Sequence, residues 1–176
     1  MSESGWLTPE AFTAACAALP LVSVDLFVVR PAGPGSELLL GLRNNSPAQG
    51  WWFTPGGRAR KNEPLGRTLE RVAADEIGLA PGPAENARLI GAWDHFYPDS
   101  AFAGTVSTHY VNLAYLLQVS RAVGDSLELA TEPGSQHSAW KWVPLREVSK
   151  SAEVHDNVKM VVPRVLESTL HGGVAG

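Results

Sequence analysis

Glu63, Arg71, Asp75 and Glu76 lie close together in the chain and follow a glycine pair, Gly56–Gly57. Magnesium takes hard oxygen ligands, usually a few carboxylates with water and phosphate oxygens. Glycines just ahead of a helix let the backbone approach both a cation and a phosphate. Between Pro64 and Ile77 the apolar residues Leu65, Leu69, Val72, Ala73 and Ile77 follow helical spacing, and Gly78 stands where a helix stops. On such a helix Arg71 and Asp75 share one face, and Val72 and Glu76 another. The pattern predicts a loop–helix junction that holds a cation against a diphosphate. A solvated helix face with Arg71 as ion-pair partner is the competing account, and the glycine spacing weighs against it.

Other polar residues stand out against apolar surroundings. Asp25 interrupts LVSVDLFVVRP, where a buried carboxyl, an edge position or a ligand contact would each explain it. Gln136 and His137 are adjacent. An imidazole has a reference pKa near 6.5, and a positioned base contributes about 10²–10⁴-fold to a rate. Arg43 and Arg58 carry the planar fork that matches phosphate oxygens. The tryptophans at 51, 52, 93, 140 and 142 read chiefly as core.

The elements that must position these groups can be drawn from the same residues. WLTPEAFTAACAALPL predicts a helix, with Thr8 as cap, Pro9 in the first turn and Pro20 at its end. LVSVDLFVVRP and ELLLGLRNN form a strand pair across a Gly/Pro turn. WWFTPGGR is a short aromatic strand entering the glycine turn. ARLIGAWDHFY and THYVNLAYLLQVS are two further strands, and AWKWVPL is a short one. VPRVLESTL, extended back to Asn157, predicts a terminal helix. The order defines a mixed α/β (α+β) domain, with a sheet sandwiched between an N-terminal and a C-terminal helix.

Bulk properties narrow the function classes. At 176 residues the chain suits a single domain over 1–176. A formal net charge of −4 and the lack of a Lys/Arg cluster exclude a basic nucleic-acid face. Cys16 is the sole cysteine, so neither an intramolecular disulfide nor a cysteine zinc cluster can form, and a reducing cytoplasm is expected. The start MSESGWLTPE lacks a basic, then apolar, leader, and no apolar run is long enough to span a membrane.

From Gly57 the spacing is five residues to Glu63, seven more to Arg71, then Asp75-Glu76-Ile77-Gly78-Leu79. This resembles the Nudix box, whose glutamates fall at the positions of 72, 75 and 76; position 72 is valine here. Over LVSVD (21–25), PAQGWWFTPGGR (47–58), WDHFYPD (93–99), THYV (108–111) and SQHSAWKW (135–142) the chain further resembles the GDP-mannose mannosyl hydrolase subgroup, which also has an apolar residue at that position.

The resemblance implies a Nudix-type fold and Mg²⁺-dependent hydrolysis of a nucleotide sugar, with Mn²⁺ able to substitute. Water would attack the sugar C1 with inversion and release GDP. It implies Glu76, Gln136 and the Gly57 carbonyl as metal ligands, with Asp75 as a further candidate, and His137 as general base. Arg43, Arg58 and Arg71 would assist the diphosphate; Asp25, His95 and Tyr110, with Arg43 and Arg58, would contact substrate. A homodimer is implied, to which the segment around Trp6 could contribute. Two features depart from the subgroup. Asp75 is acidic where the subgroup tolerates a small apolar residue, and in HDNVKMVVPRVLE only Asp156, Asn157 and Val158 match. Attack at phosphorus by a conventional pyrophosphohydrolase is the alternative, followed by a non-catalytic nucleotide-binding module.

Overall fold

The computed structural model describes residues 7–80, 82–102 and 104–171; Trp6 lies outside them. Helix α1, Pro9–Ala18, begins as expected: the Thr8 hydroxyl accepts from the Ala11 N–H at 3.3 Å, and Pro9 occupies the first turn. Strands β1 (Leu21–Ala32) and β2 (Gly35–Arg43) form the predicted pair. The aromatic-glycine segment splits into two short strands, β3 (Trp52–Phe53) and β4 (Gly56–Arg58). Helix α2, Leu65–Ile77, ends at Gly78, which adopts the left-handed conformation (φ 61°), and the Leu79 N–H reaches back to the Ala73 carbonyl at 3.1 Å.

Strands β5 (Arg88–Tyr97), β6 (Thr108–Gln118) and β7 (His137–Pro144) complete the sheet. The sequence places the start of β7 at Ala139. The ladder in fact begins at His137, which pairs with Arg43, so His137 is a strand residue. Three short helical elements escaped the periodicity reading. They are α3 (Arg121–Asp125), α4 (Leu145–Val148) and a single 3-10 turn at Pro83–Asn86, each too short to show a repeat. The expected terminal helix is two: α5 (Asp156–Lys159) and α6 (Val162–His171). Pro163 explains the break, because its ring clashes with the carbonyl four residues earlier and disfavours helical geometry at the residue before it.

The seven strands make one mixed sheet. Its main path is β3-β2-β1-β6-β5; β4 pairs with β1, and β7 with β2. Among the described strands β1 and β6 pair in parallel, with Asp25 opposite Ala114 and Ser23 opposite Asn112. Alternation sends odd-numbered β1 residues to one face and even-numbered ones to the other. Val24, Leu26 and Val28 meet Leu69, Val72, Ala73 and Ile77 of α2. Phe27 and Val29 meet Val148, Val158, Val162 and Val165 from α4, α5 and α6. With both faces covered, β1 is buried continuously from Ser23 to Arg30, and Asp25 is buried with it. Arg30 ties α3 to the sheet: it bonds Glu37 at 3.0 Å and Asp125 at 2.5 Å, beneath Trp142. Among the described residues no helix is long and apolar enough to cross a membrane.

Candidate active site

The C-terminal helices cover only half of their sheet face. The other half holds Ser23 and Asp25 of β1, Tyr110 and Asn112 of β6, and His95 and Tyr97 of β5, which line one cavity. Its rim is formed by Arg43 at the end of β2, by Gly56, Gly57 and Arg58 of β4, and by Gln136 before β7. An adjoining, wider cavity of about 310 Å³ adds Phe12, Phe102, Arg60 and Arg71. Asp75, Glu76 and His137 line a third recess on the far side of Gln136. The deep cavity therefore brings together Asp25, His95, Tyr110, Arg43, Arg58, Gly57 and Gln136. Arg71 stands in the adjoining cavity, and His137 is separated from the substrate-side groups by Gln136.

At the junction of these spaces three oxygen-bearing groups converge. Glu76 Oε1 accepts from Gln136 Nε2 at 2.7 Å, and Glu76 Oε2 accepts from the Gly56 N–H at 3.2 Å. Gln136 Nε2 also lies 3.5 Å from the Gly56 carbonyl. The carbonyl facing this pair is thus that of Gly56, one residue before Gly57. A side chain at 56 would collide with Asp25 and the Val24 carbonyl, so only glycine lets β4 come this close.

Glu76 is 6% exposed and bonds only neutral groups, and burial pushes its carboxyl up to about 8 against the field of Arg43 and the Gly56 N–H. A buried carboxylate so placed gains from a cation. Turning the Gln136 amide about its last torsion offers an oxygen beside the carboxylate and the Gly56 carbonyl, a hard-oxygen set that fits Mg²⁺. Among the described residues no cluster of three His, Cys, Asp or Glu side chains could hold a metal. Val72 is buried, its Cγ2 beside Gly57, so an apolar group occupies the ground next to the junction. Asp75 is exposed.

Arg71 is committed to the framework. Its guanidinium grips Glu63 twice, at 2.7 and 2.8 Å, and bonds the Arg58 carbonyl at 3.1 Å. Glu63 also accepts from the Arg60 N–H and the Thr68 hydroxyl, both at 2.9 Å. The Arg71 hydrogen bonds hold its carboxyl down at about 2. Glu63 and Arg71 thus fix the loop that carries Arg58. Arg43 Nε bonds the Pro47 carbonyl at 2.9 Å, and Nη1 reaches Gln136 Oε1 at 3.4 Å. Arg58 lies 5.7 Å over Phe12 of α1, and burial lowers its pKa.

The His137 imidazole is 1% exposed and packs against Trp140 in space that a Gly41 side chain would fill. Its Nδ1 lies 3.5 Å from Glu76 Oε2, and its Nε2 has no partner. Burial first, and Arg43 second, lower its pKa to about 3, so the ring is neutral at pH 7. Burial likewise raises Asp25 to about 7, opposed by a hydrogen bond from Asn112 and the field of Arg43. His95, lowered to about 4 by burial and His155, is neutral as well. Burial raises Tyr110 to about 12, which leaves its hydroxyl protonated.

Sequence reasoning missed Ser23, Thr54, Tyr97 and Asn112 as cavity residues. Asn112 carried a usable signal: it breaks the apolar run of β6 as Asp25 breaks that of β1, and on the same face.

This fold, with a glycine turn and helix presenting one buried glutamate, is that of the Nudix family. The family model of the NUDIX domain matches residues 19–164, and the chain belongs to that family of hydrolases, which generally use divalent metal ions. The low-salt glycan biosynthesis protein Agl8 of Haloferax volcanii is 40% identical over 132 residues, which cover 75% of this chain and 76% of that protein. Among solved structures, the NUDIX domain of Shewanella oneidensis NrtR, complexed with ADP ribose, superposes with a TM-score of 0.64 at 21% identity. That match covers 96% of this chain and 99% of the other. The MutT NUDIX hydrolase of Burkholderia pseudomallei gives a TM-score of 0.63 at 25% identity, over 83% and 98% of the two chains.

Proposed function

We propose that the chain hydrolyses a nucleotide sugar, with GDP-mannose the best candidate, by attack of water at the sugar C1 with inversion. The observation that carries this reading is the make-up of the metal junction. One carboxylate, Glu76, meets an amide and a backbone carbonyl, while Val72 occupies the neighbouring ground. A junction so poor in carboxylates suits one firmly held cation that serves the leaving group. It suits less well the several cations that activate water toward phosphorus.

Glu76, Gln136 and the carbonyls of Gly56 or Gly57 would hold Mg²⁺ or Mn²⁺, which supplies positive charge to the leaving diphosphate. Arg43 and Arg58 receive the diphosphate oxygens, and their forked donors match the charge that develops there. Asp25, His95 and Tyr110 face the sugar. The water oxygen bonds to C1 as the bond from C1 to the diphosphate oxygen breaks, and the bonding pair leaves with the diphosphate. The water proton goes to His137, whose imidazole is neutral and can take it up; Gln136 stands between this ring and the substrate-side groups, so the transfer requires Gln136 to turn toward the cation. The relationship to a glycan biosynthesis protein supports a sugar-bearing substrate.

Asp75 favours a second reading, attack at phosphorus, because it lines the same recess as Glu76 and His137 and adds a carboxylate there. Turnover in ¹⁸O-labelled water separates the two. Label in the released sugar, with nucleoside diphosphate as the other product, is expected; label in phosphate would overturn attack at carbon.

A further inference from the structure

The floor of the deep cavity holds polar groups with nothing to bind. Thr54 and Asn112 are 0% and 1% exposed, yet Thr54 Oγ1 and Asn112 Oδ1 have no hydrogen-bond partner among the described residues. Nε2 of His95, a residue 2% exposed, is a third such atom. All three residues line the same cavity. Orphaned buried polar atoms are rare, because each forfeits the hydrogen bonds it made in water. Several in one cavity mark a place where a partner is to be supplied.

The chemistry of that partner follows from how Asn112 is held. Its Nδ2 donates to Ser23 Oγ at 2.9 Å, and Asn112 also hydrogen-bonds the Asp25 carboxyl. With the donor end engaged by the neighbouring strand, Oδ1 is left as an acceptor; a flipped amide could still meet the Ser23 hydroxyl but would set its oxygen against the ionised Asp25 carboxylate. Thr54 Oγ1, between β3 and β4, can donate or accept. The deep cavity is small, about 90 Å³ against the 310 Å³ of its neighbour. One water needs roughly 10–15 Å³ on this measure. The deep space therefore takes about six to nine water-sized groups, the scale of a sugar ring and its hydroxyls.

We propose that Asn112 and Thr54 form a hydroxyl-recognition floor for the sugar, and that Asn112 selects a sugar with a hydroxyl donor at the position facing Oδ1. This rests on the nucleotide-sugar reading above. A site built to bond a hydroxyl discriminates strongly against the analogue lacking it, because its own acceptor then stays unpaired. Asn112→Leu preserves the volume and removes the acceptor together with the bonds to Ser23 and Asp25, whereas Thr54→Val removes only an unpartnered hydroxyl.

The test compares wild type, Asn112→Leu and Thr54→Val on GDP-mannose and its monodeoxy analogues, with Mg²⁺ and the full chain. The Kd for GDP is measured by calorimetry in parallel. Asn112→Leu is expected to lose roughly 10–100-fold in kcat/KM on the parent sugar. One monodeoxy analogue should be affected little, so that discrimination at that position collapses. The Kd for GDP should stay within about twofold. Thr54→Val should show a smaller loss of the same kind and keeps the test open if Asn112→Leu does not fold. Unchanged discrimination in both variants overturns the proposal and leaves water as the occupant of the floor. An equal loss in GDP affinity overturns it too, by moving the effect to the diphosphate. A wild type that binds GDP but cleaves no nucleotide sugar overturns the functional reading as well, and that outcome is distinct from the other two.

Discussion

Strands β1 and β6 cross a single sheet face whose two halves have opposite chemistry. Under the C-terminal helices the face presents Phe27, Val29, Ala114 and Leu116; a few residues back along the same strands it presents Ser23, Asp25, Tyr110 and Asn112. The second half is nearly as dry as the first: Asp25 is 6% exposed, Asn112 1% and His95 2%. The difference therefore lies in whether each group's needs are met inside the chain. Apolar groups satisfy one another by packing, whereas the polar half retains orphaned atoms and a high-pKa carboxyl whose partners must come from outside the chain. Binding capacity here is stability left unrealised.

The largest expected effects come from one substitution in the apolar half and one at the metal junction beside the polar half. Phe27→Ala should lower the unfolding free energy by about 3–5 kcal/mol through a cavity the helices cannot fill. It should appear as an earlier urea midpoint, with kcat per folded molecule retained. Glu76→Gln should hold the midpoint and lower kcat by at least about 10–100-fold, the range for groups that merely support a metal ligand. If Glu76→Gln unfolded as early as Phe27→Ala, the junction would be structural and the contrast would vanish.

A smaller effect tests the rim between the halves and the solvent. Glu63 is held at about 2, chiefly by the Arg71 hydrogen bonds, against 4.5 for a free glutamate. The folded value is depressed, so the stability it contributes is fully present above about pH 4.5 and is lost as the pH falls toward 2. Glu63→Gln should cost about 1–3 kcal/mol at pH 7. The gap between variant and wild-type unfolding curves should close across that acid window. A gap independent of pH would mean that shape, and not charge, fixes the Arg58 loop.

The apolar half was the more legible in the sequence. The period-2 run of β1, the helical spacing of α2 and the Thr8 cap each report a local preference, and each element formed where the pattern put it. The misses had two kinds of cause, one non-local and one local. His137 reads as a loop residue because strand pairing with Arg43 leaves no mark on its own neighbours. The terminal helix broke where Pro163 outweighed the apolar periodicity around it. At the site, spacing alone gave Glu63, Arg71 and Glu76, since one helix and its loop carry them. Arg43, Gln136 and His95 meet only through strand order, and their roles came from the family resemblance. Asn112 and Thr54 were legible only as polar residues among apolar ones, and their shared cavity required the fold.

The smallest expected effect concerns α1, which closes the polar half from outside and is anchored by only two buried hydrophobic side chains, Phe12 and Cys16. Phe12 lies under Arg58 and meets the Phe102 ring edge-on at 5.4 Å. Removing the cap with Thr8→Ala should cost about 1 kcal/mol, the usual value for such a hydroxyl. If α1 frays separately from the sheet, that loss is local. Hydrogen exchange at the amides of Phe12–Ala18 should then quicken by roughly 5-fold, a factor corresponding to about 1 kcal/mol in a local opening equilibrium. The amides of Leu26–Val29 should be unchanged. Equal acceleration in β1 would mean that α1 and the apolar half unfold as one unit, and the boundary drawn between the two halves would have to move outward to include the helix.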